Sequence, residues 1–274
     1  MGGVVARGLV GQALFIPSPC EGLPVRFCNG EIVSDRKEMS YHLERRVVML
    51  RFIVRAFAIL AAVLPLGRGA SCNAAGGSVA IPNPSVDAPL APTKGQQTAV
   101  LAGGCFWGIQ AVFEHLKGVI RATSGYSGGS ADTAQYETVS TGRTGHAEAV
   151  QVTYDPSQIT YGRLLKVFFS VAHDPTQLNQ QGPDVGTQYR SAIFYASEEQ
   201  KRIAQAYVDQ LNQAKVFPRA IATQIVTLNA FYPAEDYHQD YADNHPENLY
   251  IVINDLPKVE HLHKQFPELY VEKK

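Results

Sequence analysis

Cys105 is the residue of this chain best placed to do chemistry. It follows Gly103 and Gly104 and precedes Phe106 and Trp107, the one Trp in the sequence. The apolar run at 99–102 predicts a buried strand, and Phe106, Ile109, Val112, Phe113 and Leu116 recur at helical spacing before Gly118. Cys105 therefore falls at a strand-to-helix turn. A thiolate there would face unpaired N–H groups and the positive end of the helix dipole, which lowers a thiol pKa. Gly103 and Gly104 would let the backbone turn tightly. An aromatic rim beside a reactive sulfur suits a substrate with a small apolar group. Position alone also leaves open an inert, buried thiol with Trp107 in the core.

The second candidate is a carboxyl group. Side chains alternate along a strand, so in the run 147–154 Glu148 shares a face with Val150, Val152 and Tyr154. Ala147, Ala149, Gln151 and Thr153 take the other face. A carboxyl group on an apolar face, with no cation beside it, holds its proton to higher pH and can serve as a general acid. If the strand stopped near Ala149, Glu148 would instead be a solvated edge residue.

These residues need a scaffold. Strands are expected at 99–102, 119–123, 147–154, 191–195 and 223–228. Helices are expected at 106–117 and 161–172, and a third opens at the capping box Ser197-Glu-Glu-Gln200 and runs to about Gln213. Loops are expected at 125–144 and 173–188, and the tail from Phe231 reads as irregular with a short helix at 258–266. Strands alternating with helices imply an α/β or α+β fold, a sheet with helices packed on it.

The bulk numbers exclude several classes. With 274 residues, 45% of them hydrophobic, there is ample material for one sizeable core. The net charge of −1 offers no basic excess for nucleic acid. Cys20, Cys28 and Cys72 lie within the first 72 residues and Cys105 stands alone in the rest, which does not fit a disulfide scaffold. No CxxC pair suggests structural zinc, and His261 and His263 are spaced wrongly to share a helix face, so no metal is expected.

Residues 73–96 are rich in Pro, Gly, Ala and Ser and read as a flexible linker before a domain at 97–274. Ahead of them, Arg45, Arg46, Arg51 and Arg55 flank an apolar run at 56–66, with Gly69, Ala70 and Ser71 following. That order is the order of a secretory signal, and the run is too short to span a bilayer. The expectation is a signal at 49–72, with 1–48 an overlong start ahead of Met39 or Met49. Export follows, to a periplasmic or membrane-tethered location, with an organelle as the alternative. Cleavage near Ala70 is expected; lipidation at Cys72 is the alternative, although Gly69 stands where a Leu is usual.

Three blocks carry a resemblance: GCFWG at 104–108, TGHAEAVQVTYDP at 144–156 and GPDVGTQYRSAIF at 182–194. In this order they closely resemble the A-type peptide methionine sulfoxide reductases, over a stretch from about Thr98 to about His238. The resemblance implies a two-layer, ferredoxin-like α-β plait. It implies reduction of methionine-S-sulfoxide, free or in proteins, in the repair of oxidative damage. By the matching residues, Cys105 is the nucleophile and Glu148 the acid that protonates the sulfoxide oxygen. Tyr136 and Tyr189 hydrogen-bond that oxygen, and Phe106 and Trp107 hold the methyl group. Asp184 belongs to the surrounding network, and His238 lies near the mouth of the site.

The residue types suit that chemistry. A sulfoxide sulfur becomes electrophilic once its oxygen is protonated or strongly hydrogen-bonded, and phenols stay neutral donors near neutral pH. No cofactor is implied. Many family members carry resolving cysteines near the C-terminus, but this chain has no Cys after Cys105. It thus resembles the one-cysteine members, whose sulfenic acid is reduced by an external thiol such as thioredoxin, glutaredoxin or glutathione. The expected partners are oxidised methionine and that thiol, with no nucleic acid, a membrane only through a lipid at Cys72, and the enzyme a monomer. Two other functions stay in play: a Cys-dependent acyl transferase or hydrolase with a histidine base such as His146 or His173, and a non-enzymatic exported lipoprotein that binds a hydrophobic ligand.

Overall fold

Apolar runs of alternating period place most of the chain on one sheet. The computed structural model describes residues 81–273, so the start, the signal at 49–72, Cys20, Cys28, Cys72 and the first part of the linker lie outside the described residues. The elements are β1 (Gln97–Gly103), α1 (Phe106–Glu114), β2 (Val119–Ser127), β3 (Ala147–Tyr154), α2 (Tyr161–Val167), β4 (Ser191–Tyr195), α3 (Glu198–Gln213), β5 (Gln224–Thr227), β6 (Phe231–Pro233) and α4 (Leu256–Gln265). The sheet order is β5-β4-β1-β3-β2-β6. Its four central strands, β4-β1-β3-β2, are antiparallel throughout, and they arise from a β-α-β-β-α-β chain order. That is the ferredoxin-like plait expected from the sequence. β5 extends it in parallel to β4, and only a crossover as long as α3 can deliver a parallel neighbour.

All four labelled helices cover one face. Leu101, Val150, Val152 and Ile193 of the sheet meet Ile109 and Val112 of α1, Leu164 and Leu165 of α2, Ile203 and Leu211 of α3, and Leu262 of α4 in one core. The opposite face holds a small cluster of Val100, Ala102, Ala147, Ala149, Ala192 and Phe194. Each strand residue therefore faces the side its alternation predicts. The alanines keep the second face shallow, and the helix side carries the bulk of the buried apolar area.

Three expectations about the elements need correction. β2 runs on to Ser127, because Gly125, Tyr126 and Ser127 pair on one side with β3 and on the other with β6. The expected loop at 125–144 holds two helical turns, Ala131–Thr133 and Tyr136–Val139. The expected helix at 161–172 loosens after Val167 into a π-helical turn, Phe168–Ala172, and a second π turn, Ile251–Asp255, leads into α4.

Residues 81–96 also differ from the flexible linker expected there. Asp87 caps α2, accepting from Gly162 N at 2.8 Å and from the Thr160 hydroxyl. The Tyr207 hydroxyl donates to Pro82 O at 2.7 Å, and Gln210 binds Ser85 N and Asn83 O at 2.8 and 2.9 Å. A Pro-rich segment has few partners of its own for its backbone, and here α2 and α3 supply them.

Candidate active site

The turn before α1 is built on glycine. Gly104 has φ +100, and a Cβ there would come within 2.5 Å of Gln181. A Cβ on Gly103 would sit 2.8 Å from the His173 ring. Cys105 then takes the N-cap position of α1, with its residue only 8% exposed.

The sequence reading gave the Cys105 thiol a lowered pKa, and the structure reverses the sign. Burial pushes the thiol well up, and the nearby carboxyls of Glu148 and Asp255 add to the rise. The N–H of Trp107 and the Lys258 ammonium pull the other way but do not offset it. The helix N-terminus was legible locally; the desolvation and the two acids come from distant segments.

Glu148 lies on the helix-side face of β3, opposite Tyr126 of β2. It is 2% exposed, and its Oε2 accepts the N–H of Phe106, the residue after Cys105, at 3.1 Å. Burial pushes its pKa up to about 8, with Asp184 and Asp255 adding to the rise and the Phe106 N–H opposing it. A buried carboxyl that keeps its proton at neutral pH therefore stands beside the thiol.

The aromatic rim forms around these two groups. Phe106 is buried, with its ring centroid 5.1 Å from that of His238. Trp107 stacks on Tyr241 at 3.8 Å and 10° between planes, and its Nε1 donates to His238 Nδ1 at 3.2 Å. His238 is buried rather than at an open mouth, and burial lowers its pKa, so the neutral ring can accept that bond. The ring of Tyr136 lies 4.5 Å from the same His238. Burial, followed by the negative charge of Glu148, raises the pKa of both Tyr136 and Tyr189, which holds both phenols as donors. Asp184 accepts the Tyr250 hydroxyl.

Sequence reasoning missed Glu235, Tyr250 and the Asp255–Lys258 pair. Glu235 accepts Tyr136 N and the Tyr126 hydroxyl, both at 2.9 Å, and so fixes the backbone of the Tyr136 turn. Asp255 is fully buried, and Lys258 Nζ lies 3.0 Å from its Oδ1. The pair sits against the first turn of α1: a Cβ on Gly108 would come within 2.1 Å of Asp255 Oδ1 and 2.7 Å of Lys258 Nζ. Alanine is the better helix former, yet Gly108→Ala is expected to destabilise the fold by about 1–3 kcal/mol through overpacking. Urea denaturation checks this, and an unchanged or raised midpoint would show that the pair moves aside freely.

The histidines proposed as bases are committed elsewhere. His173 contacts Phe168 O at 3.1 Å and Ser191 Oγ at 2.7 Å, and burial pushes its pKa down to about 4. His146 Nδ1 accepts from Gly129 N at 3.2 Å while Nε2 meets Ser130 O at 2.9 Å.

Comparisons with known proteins point to one family. The family model described as "Peptide methionine sulfoxide reductase" matches residues 97–270. The chain is 62% identical over 188 residues to "Peptide methionine sulfoxide reductase MsrA 2" of Mesorhizobium japonicum, covering 69% of this chain and 95% of that protein. It is 52% identical over 193 residues to the "Peptide methionine sulfoxide reductase MsrA 2" of a Synechocystis species, covering 70% and 90%. Among solved structures, reduced Mxr1 from Saccharomyces cerevisiae is similar at a TM-score of 0.52 and 34% identity, covering 60% of this chain and 92% of that one.

Proposed function

The chain belongs to the peptide methionine sulfoxide reductase family and reduces methionine sulfoxide; from that premise we propose how its residues carry the reaction. The substrate is the S epimer, with its methyl group against Phe106 and Trp107 and its oxygen held by the hydroxyls of Tyr136 and Tyr189. Glu148 gives its proton to that oxygen as the sulfur of Cys105 bonds to the substrate sulfur. The S–O bond of the substrate then breaks as its protonated oxygen transfers to the Cys105 sulfur. The S–S bond breaks with its electron pair going to the methionine sulfur, methionine leaves, and the oxygen remains on Cys105 as a sulfenic acid. The proton of the Cys105 thiol returns to Glu148, so the enzyme ends neutral at both groups. The raised thiol pKa suits this sequence: the buried pair holds two protons at rest and ionises only as the oxygen draws one away.

The observation that carries this reading is the Glu148 carboxyl, buried on the apolar face of β3 and bonded to the N–H that follows the nucleophile, where burial raises its pKa to about 8. Its test is direct. Incubated with dithiothreitol and a peptide containing methionine-S-sulfoxide, the protein is expected to release methionine peptide, while the R-sulfoxide peptide stays oxidised. Folded protein that leaves the S epimer untouched, or treats both epimers alike, removes the reading. The acyl-transfer alternative is disfavoured because His146 and His173 both have their ring nitrogens engaged away from the sulfur.

No cysteine follows Cys105 in the sequence and Cys72 falls in the expected signal, which supports recycling of the sulfenic acid by an external thiol; the family resemblance implies no prosthetic cofactor. The arginine-flanked apolar run at 56–66 supports an exported enzyme.

A further inference from the structure

Cys105 also borders a cavity that the groups assigned to the sulfoxide methyl and oxygen do not share, although Asp184 of the surrounding network lies in its wall. The cavity has a volume of about 280 Å³, and its walls come from the π turn after α2, the loops near 174–184 and 217–219, and the start of α4. Phe106, Trp107, Tyr136, Glu148 and Tyr189 are not among its lining residues, whereas Cys105, Gln181, Arg219, Tyr250 and Lys258 are. Its size is near the lower end of small-molecule sites, which span about 300–1,000 Å³. A protein partner would have to push a chain segment into it to touch a cysteine that is only 8% exposed.

The carboxylates of the cavity are engaged, whereas Arg219 stands exposed at its rim. Asp174 accepts from Thr176 N at 2.9 Å, the Thr176 hydroxyl at 2.8 Å and Gln177 Nε2 at 3.1 Å. Asp184 takes the Tyr250 hydroxyl, and Lys258 is held by Asp255. Arg219 gives one N–H to Thr176 Oγ1 at 3.1 Å and meets no carboxylate at ion-pair distance among the described residues. Its guanidinium keeps a fork of donors for an anion, and a carboxylate fits that fork in two-point fashion.

Resting on the sulfenic acid reading above, we propose that this cavity docks the reductant, a small thiol bearing a carboxylate that Arg219 binds while its sulfur meets Cys105. The thiol sulfur bonds to the Cys105 sulfur, the S–O bond breaks, and the hydroxide leaves as water with the proton of the thiol. A second thiol then attacks the incoming sulfur of the mixed disulfide. It releases Cys105 with its proton and leaves as the symmetrical disulfide. Two thiols are oxidised for each sulfenic acid reduced, and the two-electron account closes.

The test compares thiols on the full chain. Glutathione carries the carboxylates; dithiothreitol and 2-mercaptoethanol are uncharged. Steady-state turnover of a methionine-S-sulfoxide peptide is measured with each, alongside the single turnover made without any thiol. In the parent enzyme glutathione is expected to outperform 2-mercaptoethanol at equal thiolate concentration. Arg219→Glu is expected to lower the ratio of glutathione-supported to dithiothreitol-supported kcat/KM by about tenfold, the scale of one lost charged hydrogen bond. Arg219→Lys should recover part of that ratio. A ratio unmoved by Arg219→Glu, or glutathione no better than 2-mercaptoethanol, overturns the proposal while leaving sulfoxide reduction standing. Loss of the thiol-free single turnover in the parent enzyme overturns both together.

Discussion

Glu148→Gln is expected to slow the first turnover by about 10²–10⁴, the usual loss when a general acid is removed. The change is nearly isosteric, and the Gln oxygen still accepts the Phe106 N–H, so the loss is chemical and not a collapse of the turn. The same substitution should stabilise the fold in alkali. Glu148 has its pKa raised to about 8 from an ordinary 4.5, so the folded chain binds this proton more tightly than the unfolded chain does. Its contribution to stability is therefore whole below about 4.5 and is lost as pH rises through about 8. Such a shift is worth on the order of 5 kcal/mol at the alkaline limit, and about 4 kcal/mol of that falls between pH 5 and pH 9. Parent and Glu148→Gln are expected to melt at similar temperatures at pH 5 and to separate by about 8–16 °C at pH 9, with the variant higher. Equal melting at both pH values, together with an unslowed first turnover, would take Glu148 out of the mechanism.

Cys105→Ser is expected to abolish methionine formation, because a serine hydroxyl at neutral pH offers almost no anion to attack sulfur. The residue is buried at the N-cap of α1, a position that serine favours, so the variant should fold at least as well. The parent enzyme, given substrate without thiol, should release one methionine per chain. Dimedone should then label Cys105, since no cysteine follows it and Cys72 ahead of it is expected to leave with the signal or to carry a lipid. Residual turnover by the serine variant, or a disulfide in place of the dimedone adduct, would mean that another group carries the oxygen.

Local pattern made much of this visible in the sequence. Alternation alone put Glu148 with Val150, Val152 and Tyr154, and all three line the helix-side core. The capping box at Ser197 opens α3: Ser197 Oγ accepts Gln200 N at 3.2 Å, and Gln200 Oε1 reaches back to Ala196 N at 2.8 Å. β3 and β4 begin and end where their patterns do. What stayed hidden came from the tail. Glu235, Tyr250, Asp255 and Lys258 lie in turns, π segments and a short helix, where no period says which face meets the site. Gly108 was the one local hint, a glycine inside a helix that needs a reason. The reason is a carboxylate packed against it from well over a hundred residues away. The Cys105 thiol was misread on the same ground: a dipole is legible from a turn, whereas desolvation depends on everything that later folds over it.

The account turns on a carboxylic acid that keeps its proton in the core. Carbon-13 NMR of the glutamate side-chain carboxyls reads this directly, with the Glu148 signal assigned as the one lost in Glu148→Gln. The midpoint of its titration is expected near pH 8. A midpoint near the ordinary 4.5 would contradict the account, because the group would then be an anion throughout the neutral range with no proton to give.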